Sequence, residues 1–187
     1  MINTLIKDIE TLFLDKAKVV FVCKTGSALF CSKFRDNDII VVLDKYESSS
    51  IGRAKIDGYD VFIYSTDTFE KLAKAAFGNY RDLYSLAVAL SAKSDNVLYG
   101  SNPLTDYNWF DYAKNTLPWV KHVDLVGHPD FAPRNYVWNY AVAVALSQNS
   151  LDFSEEIKAK FQAIHDGEMS TVDLRNEILG MLEVNQD

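Results

Sequence analysis

The chain has 187 residues, 48% of them hydrophobic, and a formal net charge of −7. That length suits one domain, or one small domain with a helical appendage, and the apolar content supports a real core rather than disorder. The acidic balance argues against non-specific nucleic-acid binding, which needs a basic footprint, and no apolar run approaches the roughly 20 residues that span a bilayer.

Residues 2 to about 15 place Ile2, Leu5, Ile6, Ile9, Leu12 and Phe13 at helical spacing with charged residues between, an amphipathic helix suited to packing on a sheet. Lys7, Asp8 and Glu10 do not suit a secretory signal, so the chain reads as soluble and cytoplasmic, with no membrane partner. Two short buried strands follow, over about 18–23 and 38–43. The first is rich in β-branched residues, and Ile39 to Leu43 is apolar without a break. Lys45 to Ser50 is polar and serine-rich, a turn or loop. Ile51 to Ile56 suits a further short or irregular strand, and Gly58 to Ser65 is a third clear one.

From Thr66 the pattern turns helical. Asp67 or Thr68 is placed to cap a helix with Phe69, Leu72, Ala73 and Ala76 on its apolar side, ending at Gly78-Asn79. A helix through Leu83, Leu86, Ala87 and Leu90 stops near Lys93-Ser94-Asp95. Gly100-Ser101-Asn102-Pro103 is a break, and another helix is expected over about 105–116. Pro118, Pro129 and Pro133 mark loop. Asn135 to Ser147, Ser154 to Ile164 and Ser170 to Leu182 read as three more helices, the last capped by Ser170. The order predicts an α+β fold: a small mixed sheet within residues 1–66, and a helical region over 67–187 packed on it.

Chemistry concentrates between the first two strands. Lys24-Thr25-Gly26-Ser27 supplies a Gly-Ser turn, and Asp36 and Asp38 stand two apart at the head of the second strand. Residues at that spacing on a strand face the same side, so the two carboxylates can converge and would repel without a cation between them. Asp60, near the start of the third strand, joins them if that strand neighbours 38–43; Asp57 is its substitute, and Asp44 reads as a solvated cap. Cys23 and Cys31 are too few for a disulfide framework and lack zinc spacing, so they read as reduced, partly buried thiols. His122, His128 and His165 have no ligand spacing. Arg134, with Tyr136, Trp138 and Tyr140 after it, could meet a phosphate or a base, although packing of these aromatics in a core is the simpler account.

On Gly26-Ser27, Asp36-x-Asp38 and Asp60, residues 18 to 65 resemble the nucleotidyltransferase superfamily that includes DNA polymerase β and the small antibiotic nucleotidyltransferases. A looser likeness to predicted bacterial and phage nucleotidyltransferases covers Tyr64-Ser65, Phe69 to Ala73, Phe77-Gly78-Asn79 and Ile164 to Ser170. The resemblance implies that Gly26 and Ser27 hold a nucleoside triphosphate such as ATP. It also implies that Asp36 and Asp38, with Asp60, bind Mg²⁺ or Mn²⁺, and that Asp60 helps deprotonate the attacking hydroxyl. Such acids and metals neutralise and align phosphates, and glycine lets backbone amides approach them. Arg35 stands where the family often has serine, able to contact phosphate or to neutralise the acids. The implied acceptor is a small molecule, a protein side chain or an RNA end. The other classes are a degenerate member that binds nucleotide or a partner protein without catalysis, and an interaction module whose function lies in the helical half.

Overall fold

The computed structural model describes residues 2–13, 16–34, 36–45, 52–73, 93–104, 108 and 136–183. It is an α+β fold. Helix α1 (Ile2–Leu12) precedes strand β1 (Val19–Lys24), a single 3₁₀ turn (Gly26–Leu29), β2 (Asn37–Leu43), β3 (Gly52–Ile56), β4 (Tyr59–Ser65) and helix α2 (Thr66–Ala73). Strand β5 (Val97–Gly100) and helices α3 (Tyr136–Gln148), α4 (Glu155–Asp166) and α5 (Thr171–Glu183) follow.

The five strands form one mixed sheet in the order β3-β4-β2-β1-β5. Strand β1 lies antiparallel to β2 and β5, β2 runs parallel to β4, and β4 is antiparallel to β3. The parallel pair arises because β3 is laid outside β4. The β3–β4 connection is Asp57-Gly58, with φ of 50° and 81°. Positive φ at both central residues matches the right-handed twist of the flanking strands, and Asp-Gly is the pair that adopts it most readily.

Alternation along the strands divides the apolar residues between two faces. One face buries Val22, Ile39, Val41, Val61 and Ile63 against Leu5, Ile6 and Ile9 of α1, so the first helix does cover the sheet. The other buries Phe21, Cys23, Ile40, Val42 and Tyr64 against Phe69 and Ala73 of α2. A third core joins α3, α4 and α5 around Phe161, Ile164, Leu174 and Ile178, and Phe30 and Cys31 reach into it from the segment after the Gly-Ser turn. Phe161 stacks edge-on with Phe30, Tyr140 and Phe153 at centroid distances of 5.1, 5.8 and 5.0 Å. Tyr136 and Tyr140 are buried in this core, the simpler of their two expected roles.

Local signals behave as their chemistry requires, with two departures. Helix α4 is capped by Ser154, whose Oγ accepts from Ile157 N, and it ends at Gly167 with φ of 77°. Ser170 accepts from Val172 N at the start of α5. The cap of α2, however, is Ser65 rather than Asp67 or Thr68: its Oγ accepts from Thr68 N at 3.1 Å and donates to Thr68 Oγ1 at 2.9 Å. Strand β5 was not expected from the sequence and adds an edge to the sheet beside β1. The helix expected over 83–92, all but residue 108 of that over 105–116, the helix end at Gly78-Asn79, and His122, His128 and Arg134 lie outside the described residues.

Candidate functional site at the head of the parallel strand pair

Three of the expected residues meet where β2 and β4 begin. Asp38 and Asp60 are register partners on these parallel strands, so their side chains leave the same face side by side. Asp36 sits just ahead of β2 and is exposed. Burial raises the Asp38 carboxyl above its ordinary value, the charges of Asp60 and Asp36 raise it further, and Arg53 opposes them. The three acids are therefore near enough to repel.

The Gly-Ser turn closes onto this group. Thr25 N donates to Asp38 O at 2.9 Å, continuing the β1–β2 ladder by one step. Gly26 then adopts φ of 72°, and a Cβ there would lie 2.1 Å from Asp38 Oδ2. Glycine is thus required twice, by its backbone angle and by the carboxylate resting where a side chain would stand. Ser27, half-buried, accepts through its carbonyl from Phe30 N and Cys31 N, which fixes the exit of the turn.

From there the chain is held by the helical half. Gln162 of α4 accepts from Lys33 N (3.1 Å) and Ser32 Oγ (3.3 Å) and donates to Lys33 O (3.3 Å) and to Asp166. Cys31 Sγ contacts Phe161 O at 3.7 Å. The link between Gly26-Ser27 and Asp36 is thereby tied to α4 at four successive residues, Phe30 to Lys33. Arg35 lies outside the described residues.

On the opposite side Asp60 has basic neighbours that the sequence reading missed. Lys55 is its partner on β3, and Arg53 stands opposite Phe62 two pairs along, on the same face. Arg53 Nη2 lies 3.5 Å from Asp60 Oδ2, and Lys55 Nζ lies 3.7 Å from Oδ1. The Asp60 side chain is only 7% exposed, against 65% and 81% for the two cations. The Arg53 guanidinium also lies over the Phe62 ring, 5.3 Å from its centroid. Asp60 Oδ1 is buried without a hydrogen-bond partner, a condition that calls for an explanation in a folded protein. Alternation of Arg53 and Lys55 was visible in the sequence, but only the β3–β4 register shows which acid they face.

The remaining candidates separate from this group. Asp57 is exposed in the β3–β4 turn and does not replace Asp60. Asp44 accepts from Lys18 N at 2.8 Å and closes the far end of the β1–β2 pair. His165 lies beside Asp166 at 3.3 Å.

Carboxylate oxygens are the donors that hard divalent cations take. Asp36, Asp38 and Asp60 offer only such donors, Asp38 bears the repulsion that a cation would relieve, and Asp60 keeps an oxygen without a donor. The chemistry of the set therefore fits Mg²⁺ or Mn²⁺. Among the described residues no three such side chains stand as a preformed metal-ligand group, so closure on an ion requires side-chain movement. No protein-family model matches the chain, and no curated protein matches it.

Proposed function

We propose that the chain is a nucleotidyltransferase-like protein that moves a nucleoside monophosphate from an NTP to an acceptor hydroxyl, using Mg²⁺ or Mn²⁺. The observation that supports this most is the Asp38 carboxylate lying against Gly26 while Asp60 stands beside it in register. A glycine-lined turn and adjacent acids suit a metal-bound triphosphate.

In this reading Gly26 and Ser27 receive the triphosphate, and Asp36 and Asp38 would hold Mg²⁺ or Mn²⁺, which would supply neutralisation of the phosphate charge. The acceptor oxygen attacks the α-phosphorus, the bond to pyrophosphate breaks, and the hydroxyl proton passes to Asp60 Oδ1. The acceptor is a small molecule, a protein side chain or an RNA end. The setting is cytoplasmic, in keeping with the free, buried Cys23 and Cys31; no helix among the described residues is long and apolar enough to cross a membrane.

One observation favours a second reading. Arg53 and Lys55 already neutralise Asp60, as expected of a nucleotidyltransferase-fold protein that binds nucleotide or a protein partner without turnover. Calorimetry with the four NTPs and Mg²⁺, on wild type and the Asp36→Asn/Asp38→Asn variant, tests both. Magnesium-dependent binding that the variant loses supports a triphosphate site here, and pyrophosphate release then separates enzyme from binding module. No binding of any NTP to folded wild type removes the enzyme reading and favours an interaction module.

A further inference from the structure

We infer that Arg53, with Lys55 beside it, is a phosphate-binding arm parked on Asp60, which a divalent cation releases to grip a nucleotide's triphosphate. This rests on the nucleotide-binding reading above and adds to it a residue pair, a ligand group and an order of events.

The pairing has the form of a resting contact. Charge-assisted hydrogen bonds between a cation and a carboxylate run at about 2.7–2.9 Å, whereas Arg53 and Lys55 stand 3.5 and 3.7 Å from Asp60. The acid is buried and the two cations are mostly in water, so the acid cannot follow the cations, and they leave only when another cation takes their place beside it. Phe62 supports the guanidinium face, which keeps it above the sheet when its ion pair opens. The lone Asp60 Oδ1 shows that neither cation saturates the carboxylate, unlike a structural pair, whose remaining lone pairs are satisfied.

Charge sets the order. Among the described residues, three acids, Asp36, Asp38 and Asp60, face the two cations Arg53 and Lys55 at this corner, an excess of carboxylate that disfavours a triphosphate. With a divalent ion held by the acids that excess would be offset, and Arg53 and Lys55 would no longer be needed as the counter-ions of Asp60. The freed guanidinium then has no carboxylate partner, and its planar fork matches phosphate oxygens. The adjacent acids repel any phosphate that arrives without metal.

The test is Mn²⁺ titration followed by electron paramagnetic resonance, then calorimetry with Mn²⁺ and α,β-methylene ATP, on wild type, Arg53→Gln, Arg53→Lys and Lys55→Gln. Arg53→Gln is expected to bind Mn²⁺ several-fold more tightly and the nucleotide about tenfold more weakly. Lys55→Gln should shift both in the same directions by less. Arg53→Lys should keep the metal affinity of wild type without restoring full nucleotide affinity. Unchanged nucleotide binding in Arg53→Gln overturns the arm. Loss of Mn²⁺ affinity, or unfolding of this exposed edge-strand variant, overturns the parking and marks Arg53 as a fixed counter-ion. Wild type that takes neither Mn²⁺ nor nucleotide fails at the earlier reading, and this inference falls with it.

Discussion

Replacing Gly26 by alanine probes the contact on which the candidate site depends. The new Cβ would lie 2.1 Å from Asp38 Oδ2 and 2.8 and 2.9 Å from its Cγ and Cβ, on a backbone with φ of 72°. The left-handed backbone costs roughly 1–2 kcal/mol for a residue with a Cβ. Forcing a side chain into filled space costs about 1–3 kcal/mol more. Gly26→Ala should therefore destabilise the fold by about 2–5 kcal/mol, a large share of the roughly 5–15 kcal/mol that holds a domain together. Urea unfolding followed by circular dichroism, at unchanged m-value, measures it. The same substitution in an Asp38→Ala background isolates the contact. The backbone cost persists there, but the nearest obstruction is gone, so the penalty should shrink by about 1–2 kcal/mol as a coupling between neighbours. An equal penalty in both backgrounds would refute the placement of the carboxylate against the turn.

The other expectations concern titration, thiols and a cap. Asp38 is raised above 3.8 in the folded chain, so folding binds a proton there and stability falls as pH rises through the interval above 3.8. Asp38→Asn should melt higher than wild type at pH 7 and lose that advantage near pH 3; a lower melting point at pH 7 contradicts the repulsion argument. Burial pushes the Cys23 thiol up to about 12, and burial aided by Asp166 pushes Cys31 to about 11. Ellman's reagent at pH 8 should therefore modify neither until urea unfolds the chain, since the thiolate is the nucleophile, and stoichiometric labelling of folded protein within minutes refutes this. Ser65→Ala removes the cap of α2 and leaves Thr68 N and Oγ1 without their buried partner. It should cost about 1–2 kcal/mol in urea unfolding, whereas Asp67→Ala, at an exposed site, should cost far less.

What could be read from the sequence follows the range of the forces involved. Strands β1, β2 and β4 announce themselves by unbroken or β-branched apolar runs, and helices α3 to α5 by length, periodicity and caps such as Ser154 and Ser170. Asp36, Asp38 and Gly26 stood out because their spacing is local. The proximity of Asp60 was conditional, because it needed β4 beside β2, a pairing no residue encodes by itself. Strand β5 escaped notice because Val97-Leu98-Tyr99 is too short to show a period, and β1 makes it a strand by supplying hydrogen bonds. The cap of α2 was misplaced because Ser65 is also the last residue of β4, so strand end and helix cap coincide. The Arg53 and Lys55 contacts depend on the register of a hairpin, and the Gln162 contacts span about 130 residues, where only tertiary packing decides.

The Gln162 clamp also has a consequence for a chain emerging from a ribosome. Strands β1 to β4 all lie within the first 65 residues, as do their pairings with one another. The segment from Phe30 to Lys33 must wait for α4. At roughly 5–20 residues per second that delay is on the order of 10 s, far longer than a hairpin needs to form. Throughout it, Phe30 and Cys31 project from a nascent sheet with no core to enter. A factor that shields apolar side chains during synthesis would have a target there, at the strap between the Gly-Ser turn and the acids.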